Sequence, residues 1–527
     1  MKKFVSLVLT VLLAVSLAAC SGWKSEIKDY SGDVSSNGGF AVVKGDYVYF
    51  INGVSDNEAD NTFGSVVTGG IVRVKTADLG KADAEAELVV PKAVYTEYYG
   101  DGSGLFISGD YVYYPTPCDK KNSKGEVKND MTEFRRTKLD GTDSSVILTV
   151  DSLDTPYRFF EDGKDVYLTV LSTETVSDKE VKYLVTYNVK GKQVAKSRAI
   201  EGYSFGAFGG AYAYYTSVVH DDKLDVDESF NALYRYSFNG KEDVEILNGG
   251  GIGMRGAKFS LVKVAAKDLY VSITYVENST VTSTVYYAVA YSELNAAGTE
   301  AAVGANVALL NAAHTLNNGS SDAVTIFSGS SVYVAPNCIV YLDGNKGLVK
   351  YDYNDRDSLN FGISDIFTDD ELKTYSFAFE KDNKMYFNDA DGFYYRVDLA
   401  GIVNIETGAA LNETTATVER LTYAATNVGG NWLAAEFVGD YMLYQKENSP
   451  YLGYIFVEDT KAFDKYLAAN YETAPTGEDY DKALSDFVEK NDEFTKEGFE
   501  ARLSKRIGIL SEADKNTVDD YMKSFDD

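Results

Sequence analysis

The chain has 527 residues, with 50 Lys and Arg against 80 Asp and Glu, giving a formal charge of −30. That excess repels phosphate backbones and anionic lipid headgroups, which excludes nucleic-acid binding and a polybasic membrane patch and suits solubility outside the cell. Apolar residues make up 45%, too many for a disordered chain, and 41 Tyr against only 7 Pro fit pleated, half-buried surfaces.

The first elements concern export. Lys2 and Lys3 form a positive start, Phe4 to Leu17 an apolar stretch, and Ala18 and Ala19 a small-residue cleavage site. Leu17-Ala18-Ala19-Cys20 resembles the bacterial lipobox, in which the cysteine is lipidated and becomes the new N-terminus. The expectation is a lipoprotein signal peptide over 1–19, with acyl chains (palmitate and its like) on Cys20. They would hold the mature chain on the outer, extracytoplasmic face of a bacterial cell membrane. The apolar run is shorter than the roughly 20 residues needed to span a bilayer, and no second long run follows. Loss of Lys2 and Lys3 takes the charge from −30 to −32. Residues 20–37, polar and rich in Ser and Gly, are expected to form a tether. Beyond Cys20 only Cys118 and Cys338 remain, which is no disulfide framework.

Internal repeats occupy residues 38–457. A turn residue, two polar or aromatic residues, an aliphatic residue and then Tyr recur as Gly45-Asp46-Tyr47-Val48-Tyr49 and Gly109-Asp110-Tyr111-Val112-Tyr113. Further copies end at Tyr167, Tyr214, Tyr270, Tyr333, Tyr386 and, more loosely, Leu443, at intervals of 47 to 64 residues. Apolar stretches such as Phe40–Val43 precede them, so each copy predicts two strands joined by a tight turn. Downstream lies a second pattern, an alternating strand ending at a glycine turn. Its clearest copies are Arg136–Gly141, Thr186–Gly191, Arg235–Gly240 and Arg396–Gly401. A fourth strand candidate often follows, as at Val146–Leu148 and Val244–Leu247.

One four-stranded sheet cannot bury both faces alone, whereas sheets stacked around an axis bury them against each other. The expected fold is therefore all-β, a β-propeller of about eight four-stranded blades, with seven as the alternative count. The last unit shows only three clear strands, and Glu26–Tyr30 is a candidate for the fourth, which would tie the two ends together. On its Gly-Asp-x-Val-Tyr and Leu-Tyr-Arg-x-x-x-x-Gly units, the stretch 38–457 is similar to propeller domains of the low-density-lipoprotein-receptor-related type found in bacterial surface lipoproteins. It lacks the Tyr-Trp-Thr-Asp signature, so receptor-style ligands do not transfer.

Residues 293–319, with Ala305 to Leu316 helical, and 401–417 are expected insertions on the rims. Residues 458–527 are expected to form a small α-helical region of four amphipathic helices. Their apolar stripes start at Phe463, Tyr480, Phe499 and Val518, the third running through Leu503 and Ile507 to Leu510. The region is either a cap packed on itself or on the propeller, or a docking module for a partner.

Candidate chemistry fails on context. Gly202–Gly206 matches a nucleophile elbow around Ser204 but lies in a predicted strand, and the only histidines are His220 and His314. Gly251–Gly256 matches a dinucleotide fingerprint but opens onto a strand-like alternation, with no helix to meet a pyrophosphate. Asp221, Asp222, Asp225 and Asp227, beside His220, offer hard oxygen ligands of the kind that bind calcium, as do Asp352, Asn354, Asp355 and Asp357. Neither loop has the glycine and final Glu of an EF-hand, and both read as solvated acidic loops. Cys118 and Cys338 fall at equivalent places in opposite units, each five residues after its aligned Tyr, too far apart to bridge. No metal or cofactor is expected. The expected function is a membrane-anchored, non-catalytic binding or scaffold protein for a protein, peptide or glycan. Two alternatives stay open: an envelope enzyme of glycoside-cleaving type, and a structural subunit of an envelope assembly.

Overall fold

The computed structural model describes residues 40–53, 69–92, 105–118, 131–200, 204–209, 212–219 and 230–248. It also describes the strands and adjoining turns between 257 and 446, and residues 454–490, 495–510 and 512–526. Positions 82 and 154 are excepted, and 94, 120 and 124–125 are included. These residues are mostly β, in eight antiparallel sheets whose strands follow chain order.

The first sheet holds β1 (Ala41–Lys44), β2 (Tyr47–Ile51), β3 (Ile71–Lys75) and β4 (Glu87–Val90). The second holds β5 (Phe106–Ser108), β6 (Tyr111–Pro117), β7 (Thr132–Lys138) and β8 (Ser144–Val150). In the third are β9 (Tyr157–Asp162), β10 (Asp165–Val176), β11 (Lys179–Asn188) and β12 (Gln193–Lys196). The fourth has β13 (Ser204–Gly209), β14 (Tyr212–Val219), β15 (Phe230–Ser237) and β16 (Asp243–Asn248). Only three strands form the fifth among the described residues: β17 (Ala257–Val264), β18 (Asp268–Glu277) and β19 (Thr280–Ala290). The sixth is β20 (Val332–Val334), β21 (Cys338–Asp343), β22 (Gly347–Asp352) and β23 (Ser358–Phe361). The seventh is β24 (Ser376–Lys381), β25 (Lys384–Asn388), β26 (Tyr394–Asp398) and β27 (Val418–Arg420). The eighth joins β28 (Glu436–Val438), β29 (Tyr441–Lys446) and β30 (Tyr454–Asp459) to β31 (Arg506–Ile507).

The repeated motif makes the hairpin that opens most of these sheets. Gly45, Gly109, Gly163 and Gly439 each start the two-residue turn between first and second strands, at φ between 54° and 69°. A side chain is disfavoured there, which fixes the glycine and with it the register, Lys44 opposite Tyr47. Gly141, Gly191 and Gly240, also at positive φ, close the predicted third strands. The sixth unit departs from expectation. Val332-Tyr333 lies on the first strand, and Tyr341 is the residue paired between first and third strands, opposite Val332 and Val349. Cys338 therefore opens a second strand, whereas Cys118 follows the end of one, and the two are not equivalent.

Four helices follow β30: α1 (Ala462–Asn470), α2 (Glu478–Glu489), α3 (Lys496–Leu503) and α4 (Glu512–Lys523). The third is shorter than its stripe predicts, because Ile507 pairs with Ile455 as part of β31. That strand fills the fourth place in the last sheet, the place expected for Glu26–Tyr30, which lies outside the described residues. Residues 305–316 and 401–417 also lie outside them. No helix among the described residues is long and apolar enough to cross a membrane.

The chain divides into two compact units, one of residues 1–168, 187–192 and 421–527, the other of 169–186 and 193–420. In the first unit the eighth, first and second sheets share one hydrophobic core. It runs from Leu443, Ile455, Val457 and Ile507 through Val48, Phe50 and Val72 to Ile107 and Val112. Phe106, Tyr113 and Phe134 of the second sheet then meet Tyr157 and Phe159 of β9, with ring centroids 5.0–6.3 Å apart. In the second unit Tyr215 stacks on Tyr234 at 5.3 Å, and Thr186 of β11 shares a 3.1 Å hydroxyl contact with Tyr236 of β15.

Candidate functional site

Among the described residues, those singled out from sequence do not assemble into a site. Cys20, Asp221, Asp222, Asp225, Asp227 and both histidines lie outside the described residues. Ser204 sits in β13 opposite Thr216, within a strand and not on a strand-to-helix elbow. Residues 251–256 lie outside the described residues, and the element that follows them is the strand β17, not a helix. Among the described residues, no three His, Cys, Asp or Glu side chains converge as a metal-binding group. Cys118 is a free, buried thiol whose Sγ contacts Glu133 Oε1 at 3.7 Å. Burial pushes its pKa up, which opposes thiolate chemistry.

What recurs is a pairing of tyrosine with arginine. Tyr49, Tyr113, Tyr214 and Tyr386 on second strands lie opposite Arg73, Arg136, Arg235 and Arg396 on third strands. Arg73, Arg136 and Arg235 also cover the tyrosine two residues earlier, at 3.7 Å from Tyr47, 4.7 Å from Tyr111 and 4.5 Å from Tyr212. Acidic partners complete the set: Glu87 at 2.7 Å from Arg73, Glu242 at 2.8 Å from Arg235, and Glu419 on Arg396. This is sheet-building chemistry, repeated in four of the sheets.

The first sheet also carries a polar cleft of about 290 Å³, lined by Tyr47, Lys75, Asp78, Lys81, Asp83, Glu85 and Glu87. A short 3-10 turn, Thr76–Asp78, and the chain leading to β4 form its wall. Lys81 bonds Asp78 at 2.7 Å and holds that carboxyl below its usual range. The lining offers a phenol, ammonium groups and carboxylates, which suit hydrogen bonding to a polar ligand. It includes no serine, cysteine or histidine to form a nucleophile–base pair.

The densest buried chemistry lies at the C-terminal end of the first unit. Arg502 of α3, 1% exposed in its side chain, donates through Nη1 to Glu458 of β30 and to Tyr444 of β29. Lys505 reaches the other Glu458 oxygen at 2.9 Å. Burial alone would raise the Glu458 pKa, but Arg502 and Lys505, with hydrogen bonds from Lys505 and Tyr444, hold it below the usual carboxylate range. A few residues on, the Asn52 amide is paired twice with the backbone of Ile509: Nδ2 donates to its carbonyl and Oδ1 accepts from its N–H, both at 2.7 Å. Gly508, just before Ile509, is at φ 114°, and a Cβ there would collide with Asn52 Oδ1. Gly53 lies under the Tyr454 ring, and a Cβ on Gly80 would meet Tyr441 at 2.5 Å. Tyr454 in turn donates to Asp514 of α4 at 2.6 Å. Sequence patterning missed this junction. Its one visible trace is Arg502, a cation three residues after Phe499 on a stripe otherwise apolar.

No family model and no curated protein matches the chain. Among solved structures, it is similar to the β-propeller domain of the Trilobed protease from Pyrococcus furiosus, at 10% identity and a TM-score of 0.35, over 83% of this chain and 93% of that one. It is similar to Pyrococcus horikoshii acylaminoacyl peptidase at 9% identity and a TM-score of 0.35, covering 84% of this chain but only 54% of the peptidase, about half its length. A third likeness is to the Dos1 propeller, at 9% identity and a TM-score of 0.33, over 80% of this chain and 92% of that one.

Proposed function

We propose that this protein is a lipid-anchored, extracytoplasmic β-propeller that serves as a non-catalytic binding or scaffold protein for a protein, peptide or glycan. The observation that carries the ring is the shared core of the first and eighth sheets, reinforced by Asn52 on Ile509 and by Gly53 under Tyr454. An open row of eight sheets would hold those two at opposite ends, whereas a ring of about eight blades sets them side by side. The anchor rests on the Lys2-Lys3 start, the apolar stretch and the lipobox-like run ending at Cys20. The polar, hydrogen-bonding lining of the cleft beside Tyr47 supports recognition of a polar ligand.

The test has two arms. A Cys20→Ser variant should move from the detergent phase to the aqueous phase on phase separation and lose incorporation of labelled palmitate; unchanged partition rejects the anchor. The mature chain, incubated with envelope extract, should retain a partner without releasing new reducing ends. Steady release of such ends would replace binding with glycoside cleavage.

A further inference from the structure

Residues 502–509 join the first and last sheets with very little ladder. β31 is two residues long, pairing Arg506 with Phe456 and Ile507 with Ile455, and Val457 N–H donates to Lys505 O at 2.9 Å. Ile507, 3% exposed, is its one fully buried side chain in the core of those sheets, and Ile509 packs half-buried against that core. The other holds are polar: Arg502 and Lys505 on Glu458 at one end, and Ile509 on the Asn52 amide at the other.

We infer that this segment is a two-position latch, engaged on Glu458 and Asn52 together or released from both together. Lifting Arg502 alone would leave the Glu458 carboxylate, 5% exposed, without its buried cation. Lifting Ile509 alone would strip the fully buried Asn52 amide of two partners. Full release returns all these groups to water at once and gives up the packing of Ile507 and Ile509 and a two-residue ladder. Intermediate positions are therefore the unfavourable ones. Such an opening leaves β28, β29 and β30 paired and uncovers the outer edge of β30. The latch is independent of the anchoring and ligand readings.

Native-state hydrogen exchange on the whole mature chain tests it. Val457 N–H reports one end of the latch and Ile509 N–H the other. In the unsubstituted protein the two amides should share one opening free energy and one urea dependence, below those of the amides of β2. Asn52→Ala should speed exchange at Val457 about tenfold or more, and Glu458→Gln should do the same at Ile509. Two different opening free energies in the unsubstituted protein, or substitutions that speed only the nearer amide, overturn the latch. The first comparison needs no variant to fold.

Discussion

Arg502 stands where helical spacing on α3 assigns an apolar side chain, and it is nearly inaccessible. Its value depends on Glu458, since a buried ion pair broken on one side leaves a charge without compensation. Glu458→Gln should therefore lower stability at neutral pH by about 3–5 kcal/mol in urea denaturation. Because the folded-state pKa of Glu458 lies below its ordinary 4.5, the stabilisation is complete above that value and is lost as pH falls through the folded pKa. Stability of the two proteins should consequently converge in acid, and a constant gap from neutral pH down through the folded pKa would reject this assignment. Cys118 makes a simpler case. With a buried thiol held protonated, it should resist a thiol reagent in the native protein and react at once when unfolded.

At the scale of elements, the opening hairpins were legible because glycine at positive φ is a strong local constraint. Gly45, Gly109, Gly163 and Gly439 mark their turns, and Arg136, Arg235 and Arg396 mark third strands. Where that chemistry is absent, patterning misleads. Val332-Tyr333 imitates the motif, yet the stretch after it, Cys338–Asp343, is the longer apolar strand and takes the central place. The closing strand was illegible for a different reason. Two residues carry no periodicity, and Arg506-Ile507 sits between helices, so only contacts with Ile455 and Asn52 disclose its role. The helices α1, α2 and α3 thus stand between the third and fourth strands of the last sheet. Their packing is pairwise: Phe463 meets Phe487 at 5.3 Å, and Phe499 meets Tyr521 at 4.8 Å. A chain ended after Asp459 should lose more than helicity, because the last sheet loses an edge and the core loses Ile507. Thermal unfolding should show a lower midpoint for the remaining β structure; an unchanged midpoint would mean the helices are a separate module.

At the scale of the molecule, a charge of −30 leaves few long-range attractions to assist assembly, so the joining of the first and last sheets falls to short-range contacts. The Asn52 clamp is one of these, and its removal should act far from its own position in sequence. Asn52→Ala is expected to cost about 1–3 kcal/mol, with the loss expressed mainly in faster unfolding if the clamp forms late. Stopped-flow unfolding in urea checks this, and an equal loss in the refolding rate would place the clamp in the folding nucleus. The position of β31 also sets an order of events. A chain made from its N-terminus can build the first sheet early, but the mate for Asn52 emerges 457 residues later, with Ile509. Until then Asn52 stays wet and the edge of β30 lies open to foreign strands, so synthesis that stalls before residue 506 yields a molecule of nearly full length with an unsealed seam.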